Sequence, residues 1–342
     1  MQVLFLYLLN TLFLIATIYP ILGVYSILCS EFILVRRKPK PPRNECRHSK
    51  NLKRMKFKKQ ITVLVLIISI TSFITTLLGI FSNDGKGSYS YKTIRGETIV
   101  IYGKGLYRHM SADVAIQGIA QDYVTLFIGI PLLIVGLFYW RKGIVKAKFL
   151  LTGILLYFFL TYLFYTAMAM YNEMFLAYVL LLSCSFFALI MHLISFDYNI
   201  PIFKSGKTII IASYFLLINS MLIALLWLSI VLPPLLNMTI YPNGLEHYTT
   251  LIVQGFDLGI FLPLGFVSAF LALKKSNYGN IFTTVYVIFL SILMTALTSK
   301  LVFMAYAGAN VKPAIFIIPI IALFSTILSF QLLRQLGGSE TE

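Results

Sequence analysis

The chain has 342 residues, of which 59% are hydrophobic and only 12% are charged, more apolar content than a soluble domain of this length can bury. Stretches of about 20 apolar residues are long enough to cross a bilayer as helices. The net charge of +16 does not indicate nucleic-acid binding, because the basic residues cluster at the ends of these stretches. Such clustering orients membrane helices. The composition therefore predicts an all-α integral membrane protein.

Nine apolar segments have the length and composition of transmembrane helices. They cover residues 3–34, 61–81, 123–140, 149–170, 175–196, 208–232, 250–273, 281–306 and 313–334. The first segment is predicted as a separate N-terminal helix within residues 1–35, ahead of a basic cytoplasmic loop at 36–60. The remaining eight divide into a first membrane half, 61–207, and a second half, 208–336, followed by a short tail at 337–342.

The distribution of Lys and Arg predicts which side of the membrane each loop faces. Residues 36–59 contain 12 Lys or Arg and a single acid, Glu45. When this segment is placed inside, 21 of the 28 Lys and Arg residues lie on the inner side. Cytoplasmic loops carry such an excess. We therefore expect an outer N-terminus and an inner C-terminus, in the cytoplasmic membrane of a bacterium.

The basic loop at 36–60 is predicted to bind lipid headgroups. It is rich in Pro, Lys and Arg and has almost no aliphatic side chains. Each basic residue near an anionic leaflet contributes about 1 kcal/mol of attraction. The residues assigned to this role are Arg36, Arg37, Lys38, Lys40, Lys53 and Arg54. We expect anionic lipids as partners at the inner face and no nucleic acid, because no aromatic interleaving accompanies the charge.

The largest outer segment, residues 82–122, contains a predicted β-hairpin. Residues 88–102 are rich in β-branched and aromatic side chains, with Arg95-Gly96 at the centre. Two such runs on either side of a glycine-containing turn are typical of a hairpin. We expect this hairpin to cap the outer face, where a small solute or a protein partner would bind.

Two outer approaches share an order of residues that indicates an internal duplication. The first copy contains, in order, Gln117-Gly118, Asp122 and Pro131. The second copy contains Gln254-Gly255, Asp257 and Pro263 in the same order. Both would enter from outside, which gives a parallel repeat of four spans each, an arrangement in which transporter sites lie between the halves. The distance from Gln to Asp is five residues in the first copy and three in the second. Chance similarity therefore stays open as the alternative.

Residues 100–335 resemble a widespread group of bacterial multi-pass membrane proteins. The runs that carry the resemblance are Gly105-Leu-Tyr-Arg108, Gln121-Asp-Tyr-Val-Thr-Leu126, Pro131-Leu-Leu133 and Asp257-Leu-Gly-Ile-Phe-Leu-Pro263. The group is uncharacterised, so the resemblance implies a multi-pass fold and no particular chemistry.

Intramembrane carboxylates are the main candidates for a functional site, because placing a charge inside a bilayer is costly. Asp257 lies about 10 Å below the predicted outer boundary, at 1.5 Å per residue. Lys300 lies at a similar depth on the next span, which runs in the opposite direction. We expect these two residues to form an ion pair, either in a proton- or cation-coupled site or as a structural link between helices.

Asp122 lies nearer the predicted interface than Asp257. It belongs either to the same polar pocket or to the hydrated first turn of a helix, where a carboxylate is favourable. Three glutamines would surround either carboxylate with amide groups. The predicted substrate-binding residues are therefore Asp257, Lys300, Gln254, Asp122, Gln121 and Gln117. No cofactor is expected, and no metal site, because the histidines and acids lack the close spacing of a metal-binding motif.

Two further groups have weaker functional interpretations. Tyr157, Tyr162, Tyr165 and Tyr171 either line a cavity or serve as packing and interfacial anchors. His192 lies at the inner end of its span, where we expect a snorkelling or capping role rather than haem ligation.

Three functions stay open on the sequence alone. The leading hypothesis is a transporter or permease-like protein for a small solute, with an outward-facing polar pocket around Asp122, Asp257 and Lys300. The second is a membrane-embedded enzyme or assembly factor for lipid or cell-envelope precursors, in which the two aspartates act as acid and base. The third is a non-catalytic partner or sensor subunit whose hairpin binds a protein.

Overall fold

The structure, a computed structural model, describes residues 57–198, 206–239, 241–242 and 244–336. In these ranges eight helical segments are long and apolar enough to cross a membrane. The prediction of a helical, multi-pass membrane protein is confirmed at this level. The predicted helix at 3–34 lies outside the described residues. So do the six residues assigned to lipid headgroups, which are Arg36, Arg37, Lys38, Lys40, Lys53 and Arg54.

The first half contains four crossings and the hairpin. Its elements are α1 (Lys58–Phe81), β1 (Tyr89–Lys92), β2 (Thr98–Ile101), α2 (Ala112–Val124), a π-helical segment π1 (Thr125–Gly129), α3 (Ile130–Arg141), α4 (Val145–Met168) and α5 (Phe175–Ile194). Because α2, π1 and α3 are continuous, they form one crossing of 30 residues, Ala112–Arg141.

The second half has the same sequence of helical elements without a hairpin. Its elements are α6 (Lys207–Leu236), α7 (Ile252–Phe256), π2 (Asp257–Phe261), α8 (Leu262–Leu273), α9 (Asn277–Tyr306) and α10 (Ala314–Gln335). Consecutive crossings alternate in direction. The helices therefore have one end near residues 82–111, the hairpin end, and an opposite basic end that carries Lys58, Arg141, Lys207, Lys274 and Arg334.

The predicted hairpin is present. Strands β1 and β2 pair antiparallel, with Tyr89 opposite Ile101. The turn between them contains Gly96 at φ +86°, a backbone conformation that the missing Cβ makes accessible. Ile99 and Ile101 point into the protein, whereas Ile94 at the tip is 93% exposed. The alternation of side chains along β2 thus buries one face of that strand, whereas all four residues of β1 are exposed.

The hairpin is attached to the loop that precedes α7 in the second half. The Arg95 guanidinium donates hydrogen bonds to the carbonyl oxygens of Glu246, at 2.9 Å, and Tyr248, at 2.8 Å. The ring of Tyr91 packs edge-on against His247. The extramembrane caps of the two halves therefore form one connected surface at the hairpin end.

Two prolines explain why each half contains a π-helical segment. Pro131 and Pro263 are the second residues of α3 and α8. A proline has no N–H, and its ring collides with the carbonyl four residues before it in a regular helix. A π-helical turn just before the proline widens the helix and relieves this collision. In both halves the turn ends on an i→i−5 hydrogen bond, from Ile130 N–H to Thr125 O and from Leu262 N–H to Asp257 O.

The element boundaries of the two halves have a constant separation in sequence. The starts of π1 and π2, of α3 and α8, and of α4 and α9 are each 132 residues apart. The turns after α3 and α8 also match, because Gly143 and Lys275 both have positive φ. Asp122 and Asp257 are 135 residues apart, so pairing them by sequence order was wrong by three residues. The boundaries instead align Asp257 with Thr125, and Asp122 with Gln254.

Packing between elements follows the same correspondence. Within the halves, α1 packs on α3 and α5, as α6 packs on α8 and α10. Between the halves, α4 reaches α7 through Phe164 and Phe256, and α9 reaches α2 through Phe303 and Tyr123. Helices α4 and α9 thus each pack, near the hairpin end, against the proline-containing crossing of the other half.

Helices α4 and α9 form the centre of the molecule. In each of these helices, 72% of the residues in the most apolar 18-residue stretch are buried. In α6 the corresponding share is only 17%. The two helices cross at Gly153, where a Cβ would lie 2.6 Å from Cγ2 of Ile288 and 3.1 Å from the carbonyl oxygen of Val285. Gly153 and Val285 are themselves 132 residues apart, so equivalent positions meet at this crossing.

We predict that Gly153→Leu destabilises the protein, because it forces apart the two central helices. Overpacking a dense interior costs about 1–3 kcal/mol. Thermal unfolding of purified protein in detergent should show a clear decrease of Tm. Gly259→Leu is the matched control, since nothing lies within 4 Å of a Cβ at that helical position. Equal stability of the two variants would contradict the crossing.

Candidate functional site

Asp122 lies in a cage of tyrosines inside the first half. The hydroxyl of Tyr107 donates to Oδ2 at 2.5 Å, and that of Tyr165 donates to Oδ1 at 2.8 Å. Asp122 is only 4% exposed. Burial, reinforced by the Asp122 charge, raises the pKa of Tyr107, which keeps its proton and can donate it. Both carboxylate oxygens are thus hydrogen-bonded, although no Lys or Arg of the described residues contacts them directly.

A second layer of hydrogen bonds surrounds this cage. The Gln121 amide donates to the hydroxyls of Tyr157, at 2.8 Å, and Thr161, at 3.2 Å. Tyr157 also lies 2.9 Å from Thr125 Oγ1, at the start of π1. These partners come from α2, π1 and α4, so the network joins two neighbouring crossings. Polar networks of this kind are stable in an interior only when their members find partners.

Helix α1 closes the cage through a glycine. A Cβ at Gly79 would overlap Oδ2 of Asp122 and the Tyr107 hydroxyl. Only a residue without a side chain lets α1 approach the carboxylate so closely. On the opposite side, the ring of Tyr178 on α5 packs against Tyr165 with centroids 5.1 Å apart. The carboxylate is therefore covered by α1, α4 and α5.

The interpretation of Asp122 as a hydrated first-turn acid is wrong. The helix begins at Ala112, so Asp122 lies ten residues, or about 15 Å, inside it. The sequence placed the start of the apolar span at residue 123 because the preceding helical residues include polar side chains, of which Gln121 and Asp122 contact the tyrosines.

Asp257 has a more open environment in the second half. It is the first residue of π2 and is only partly buried. The indole N–H of Trp227 on α6 donates to Oδ2 at 2.9 Å. Within the described ranges, Oδ1 of Asp257 receives no hydrogen bond, so one oxygen of this carboxylate stays available to a ligand.

Lys300 interacts electrostatically with the carboxylates of both halves. It lies on α9, and the attraction to Asp257 is stronger than that to Asp122. The expected ion pair with Asp257 is not formed, because among the described residues no carboxylate oxygen lies within 4.0 Å of Lys300. Its side chain is partly exposed. The ammonium group is therefore held near two acids without being neutralised by contact with either.

The two remaining predicted site residues are less constrained. Gln117 lies one turn before Gln121, and Gln254 lies three residues before Asp257; both side chains are half-buried. In the part of the chain that the structure describes, neither amide makes a side-chain hydrogen bond. The structure thus groups the six predicted residues into a closed set around Asp122 and an open set around Asp257.

Several residues of these sites were not predicted to be functional from the sequence. Tyr107 and Gly79 complete the Asp122 cage, and Trp227 binds Asp257. Their partners are between 15 and 43 residues away in sequence, so no local spacing reveals the contacts. The one available signal was the tyrosine series on α4, whose members Tyr157 and Tyr165 do line the polar network.

His192 differs from its sequence-based interpretation. It is fully buried rather than snorkelling. Its Nδ1 lies 2.7 Å from Thr152 Oγ1, and its ring packs on Trp140 with centroids 4.8 Å apart. Across the described ranges, no three His, Cys, Asp or Glu side chains converge in a way that could hold a metal ion.

Comparison with known proteins finds no match: no protein family, no curated protein and no solved structure corresponds to this chain. A functional assignment therefore depends on the residues of the two polar sites themselves.

We predict that Asp122→Leu destabilises the protein, because the hydroxyls of Tyr107 and Tyr165 lose their acceptor in the interior. A buried hydroxyl without a partner costs about 1–3 kcal/mol. Asp122→Asn, which keeps one carbonyl acceptor, should lose less. Thermal unfolding in detergent measures both.

The control for this series is Asp113→Asn, since Asp113 is exposed on the first turn of the same helix. An Asp122→Leu protein as stable as this control would show that the tyrosine cage does not hold the helices together.

Proposed function

We propose that the protein is a permease-like multi-pass membrane protein that binds a small polar solute near the outer face of the membrane. Residues Asp257, Lys300 and Gln254 form the accessible part of the site, and Asp122, Gln121 and Gln117 form its support in the other half. The observation that carries the proposal is Asp257, a partly buried intramembrane carboxylate whose Oδ2 accepts from Trp227 and whose Oδ1 receives no hydrogen bond among the described residues. Lys300 lies near it and, within the described ranges, makes no contact ion pair. Intramembrane ionisable residues are costly and typically mark substrate or ion pathways.

We also propose that the two halves, 61–207 and 208–336, are parallel repeats. The constant separation of 132 residues and the equivalent packing of the central helices support this relation. In parallel repeats the substrate site lies between the halves. Lys300 is suitably placed for such a site, because it belongs to the second half and is attracted to Asp122 of the first.

The position of the site within the membrane supports binding from outside. Asp257 lies five residues after the start of α7, and Lys300 lies six residues before the end of α9. At 1.5 Å per residue both are about 8–9 Å from the hairpin end of their helices. The excess of basic residues at the other end indicates that the hairpin end faces outside.

The π-helical segments support a functional rather than a purely structural role. Single π-helical turns inside α-helices are rare and occur frequently at functional sites. One begins at Asp257 and the other begins three residues after Asp122. A wider helical turn can change its register at low cost, which would let Asp257 move relative to Lys300 during a transport cycle.

A second candidate function is that of a partner subunit, favoured by the apolar outer surface of the hairpin. Tyr89, Ile94 and Val100 are each at least half exposed there. Exposed apolar groups on an extramembrane surface are typical of protein contacts. The assignment would be supported if a co-purifying protein is lost on Ile94→Asp.

The permease proposal predicts that Asp257→Asn and Lys300→Gln lose uptake while keeping the fold. Proteoliposomes are incubated with a defined mixture of amino acids, organic acids, nucleosides and sugars, and their contents are measured by mass spectrometry. We expect wild-type protein to accumulate at least one of these solutes. Loss of one charged contact should reduce the rate about tenfold, equivalent to about 1.4 kcal/mol.

Asp113→Asn serves as the matched control, because it removes an exposed acid at the same end of the molecule. Its uptake should equal that of wild type. The proposal is wrong if no solute of the panel accumulates, or if Asp257→Asn transports the same solute at the wild-type rate.

A further inference from the structure

Among the described residues, the second half is open on one side, where the first half is closed. Helices α6 and α10 touch near the basic end, where Gln335 donates to Thr208 and the rings of Phe215 and Phe324 lie 5.0 Å apart. Towards the hairpin end their apolar side chains are exposed. The exposed residues are Leu222, Leu225 and Leu226 on α6, and Phe316, Ile320 and Leu323 on α10.

The corresponding helices of the first half are packed more tightly. In the most apolar 18-residue stretch, 50% of the residues of α1 and 56% of those of α5 are buried. The corresponding shares are 17% in α6 and 22% in α10. In the first half, Gly79 and Tyr178 close the space around the carboxylate. At the equivalent place in the second half, Asp257 faces Trp227 on α6 and keeps one oxygen without a hydrogen bond among the described residues.

The exposed part of α6 also carries Trp227, whose indole N–H donates to Asp257, one of two opposite charges near the hairpin end. Asp257 and Lys300 lie more than 4.0 Å apart and attract each other. Both are about 8–9 Å from the hairpin end of their helices. The headgroup region is about 5–8 Å thick on each side of a bilayer, so this depth lies close to the boundary between headgroups and acyl chains.

We propose that the ligand of this site is a zwitterionic phospholipid with a primary ammonium group, which enters sideways between α6 and α10 from the outer leaflet. The inference goes beyond the proposed function, because it assigns a membrane lipid rather than a small solute as a ligand of the same residues. The ammonium group donates hydrogen bonds to Oδ1 of Asp257, and the phosphate accepts from Lys300. The acyl chains lie against the exposed leucines of α6 and the exposed side chains of α10.

The charges of the site distinguish this lipid from the other common headgroups. A quaternary ammonium has no N–H to donate to Asp257, and a purely anionic headgroup leaves Asp257 without a counter-charge. A headgroup with both an ammonium donor and a phosphate satisfies Asp257 and Lys300 together, and charge-assisted hydrogen bonds are the stronger ones. The site therefore prefers phosphatidylethanolamine to phosphatidylcholine and phosphatidylglycerol.

Trp227 offers a direct readout, because it is one of only two tryptophans and donates to Asp257. Trp140→Phe removes the other. This variant is reconstituted into vesicles that contain an increasing mole fraction of one lipid class with brominated acyl chains, which quench nearby tryptophans. We expect brominated phosphatidylethanolamine to quench Trp227 at about tenfold lower mole fraction than brominated phosphatidylcholine or phosphatidylglycerol.

Two sets of variants separate specific binding from general lipid contact. Asp257→Asn and Lys300→Gln, each in the Trp140→Phe background, should remove the preference while leaving quenching by surrounding lipid. Trp227→Phe keeps only Trp140, at the basic end of α3, and should show no preference. Soluble phosphoethanolamine, added at millimolar concentration, should not relieve the quenching.

Each outcome decides the inference. Equal quenching of Trp227 by all three brominated lipids overturns it, and so does a preference that survives both charge variants. Relief by soluble phosphoethanolamine also overturns it, because the headgroup would then enter from water. A lost lipid preference together with retained solute uptake leaves the proposed permease function standing. A preserved preference without uptake contradicts the permease function and supports the lipid site.

Discussion

A carboxylate inside a bundle of apolar helices needs hydrogen-bond donors or a counter-charge, because an isolated charge in hydrocarbon is strongly unfavourable. The two halves meet this requirement differently. Asp122 receives the hydroxyl protons of Tyr107 and Tyr165 and is sealed by Gly79. Asp257 receives one indole N–H and the distant charge of Lys300. The first arrangement is complete, whereas the second leaves a polar group and a cation available to a ligand.

The same helical framework produces both arrangements. A proline, a preceding π-helical turn and a helix of 12 residues recur at a separation of 132 residues. The neighbouring helices differ: α1 and α5 close over the first carboxylate, whereas α6 and α10 are less buried beside the second. The same framework thus holds one carboxylate in a closed network and the other in a more exposed place.

Much of the fold follows from local sequence patterns. Apolar runs locate the eight described crossings, and the Arg95-Gly96 turn locates the hairpin, because these features depend on residues close in sequence. The sites depend on long-range packing and are therefore harder to predict. The series of tyrosines on α4 indicated a polar lining, but the contact of Gly79 with Asp122 spans 43 residues and leaves no sequence pattern. The unequal spacing of the two aspartates was visible in the sequence, but the common separation of 132 residues depends on helix boundaries that only the structure defines.

Within the described residues, the polar site of the second half is open and that of the first half is closed. Accessibility of the two sites is compared with Gln254→Cys and Gln121→Cys, in protein whose three native cysteines are replaced by serine. A membrane-impermeant thiol reagent is added from the hairpin side. We expect modification of residue 254 at a rate at least about tenfold higher than that of residue 121. Equal rates, or faster modification of residue 121, would show that the two sites do not differ in this way.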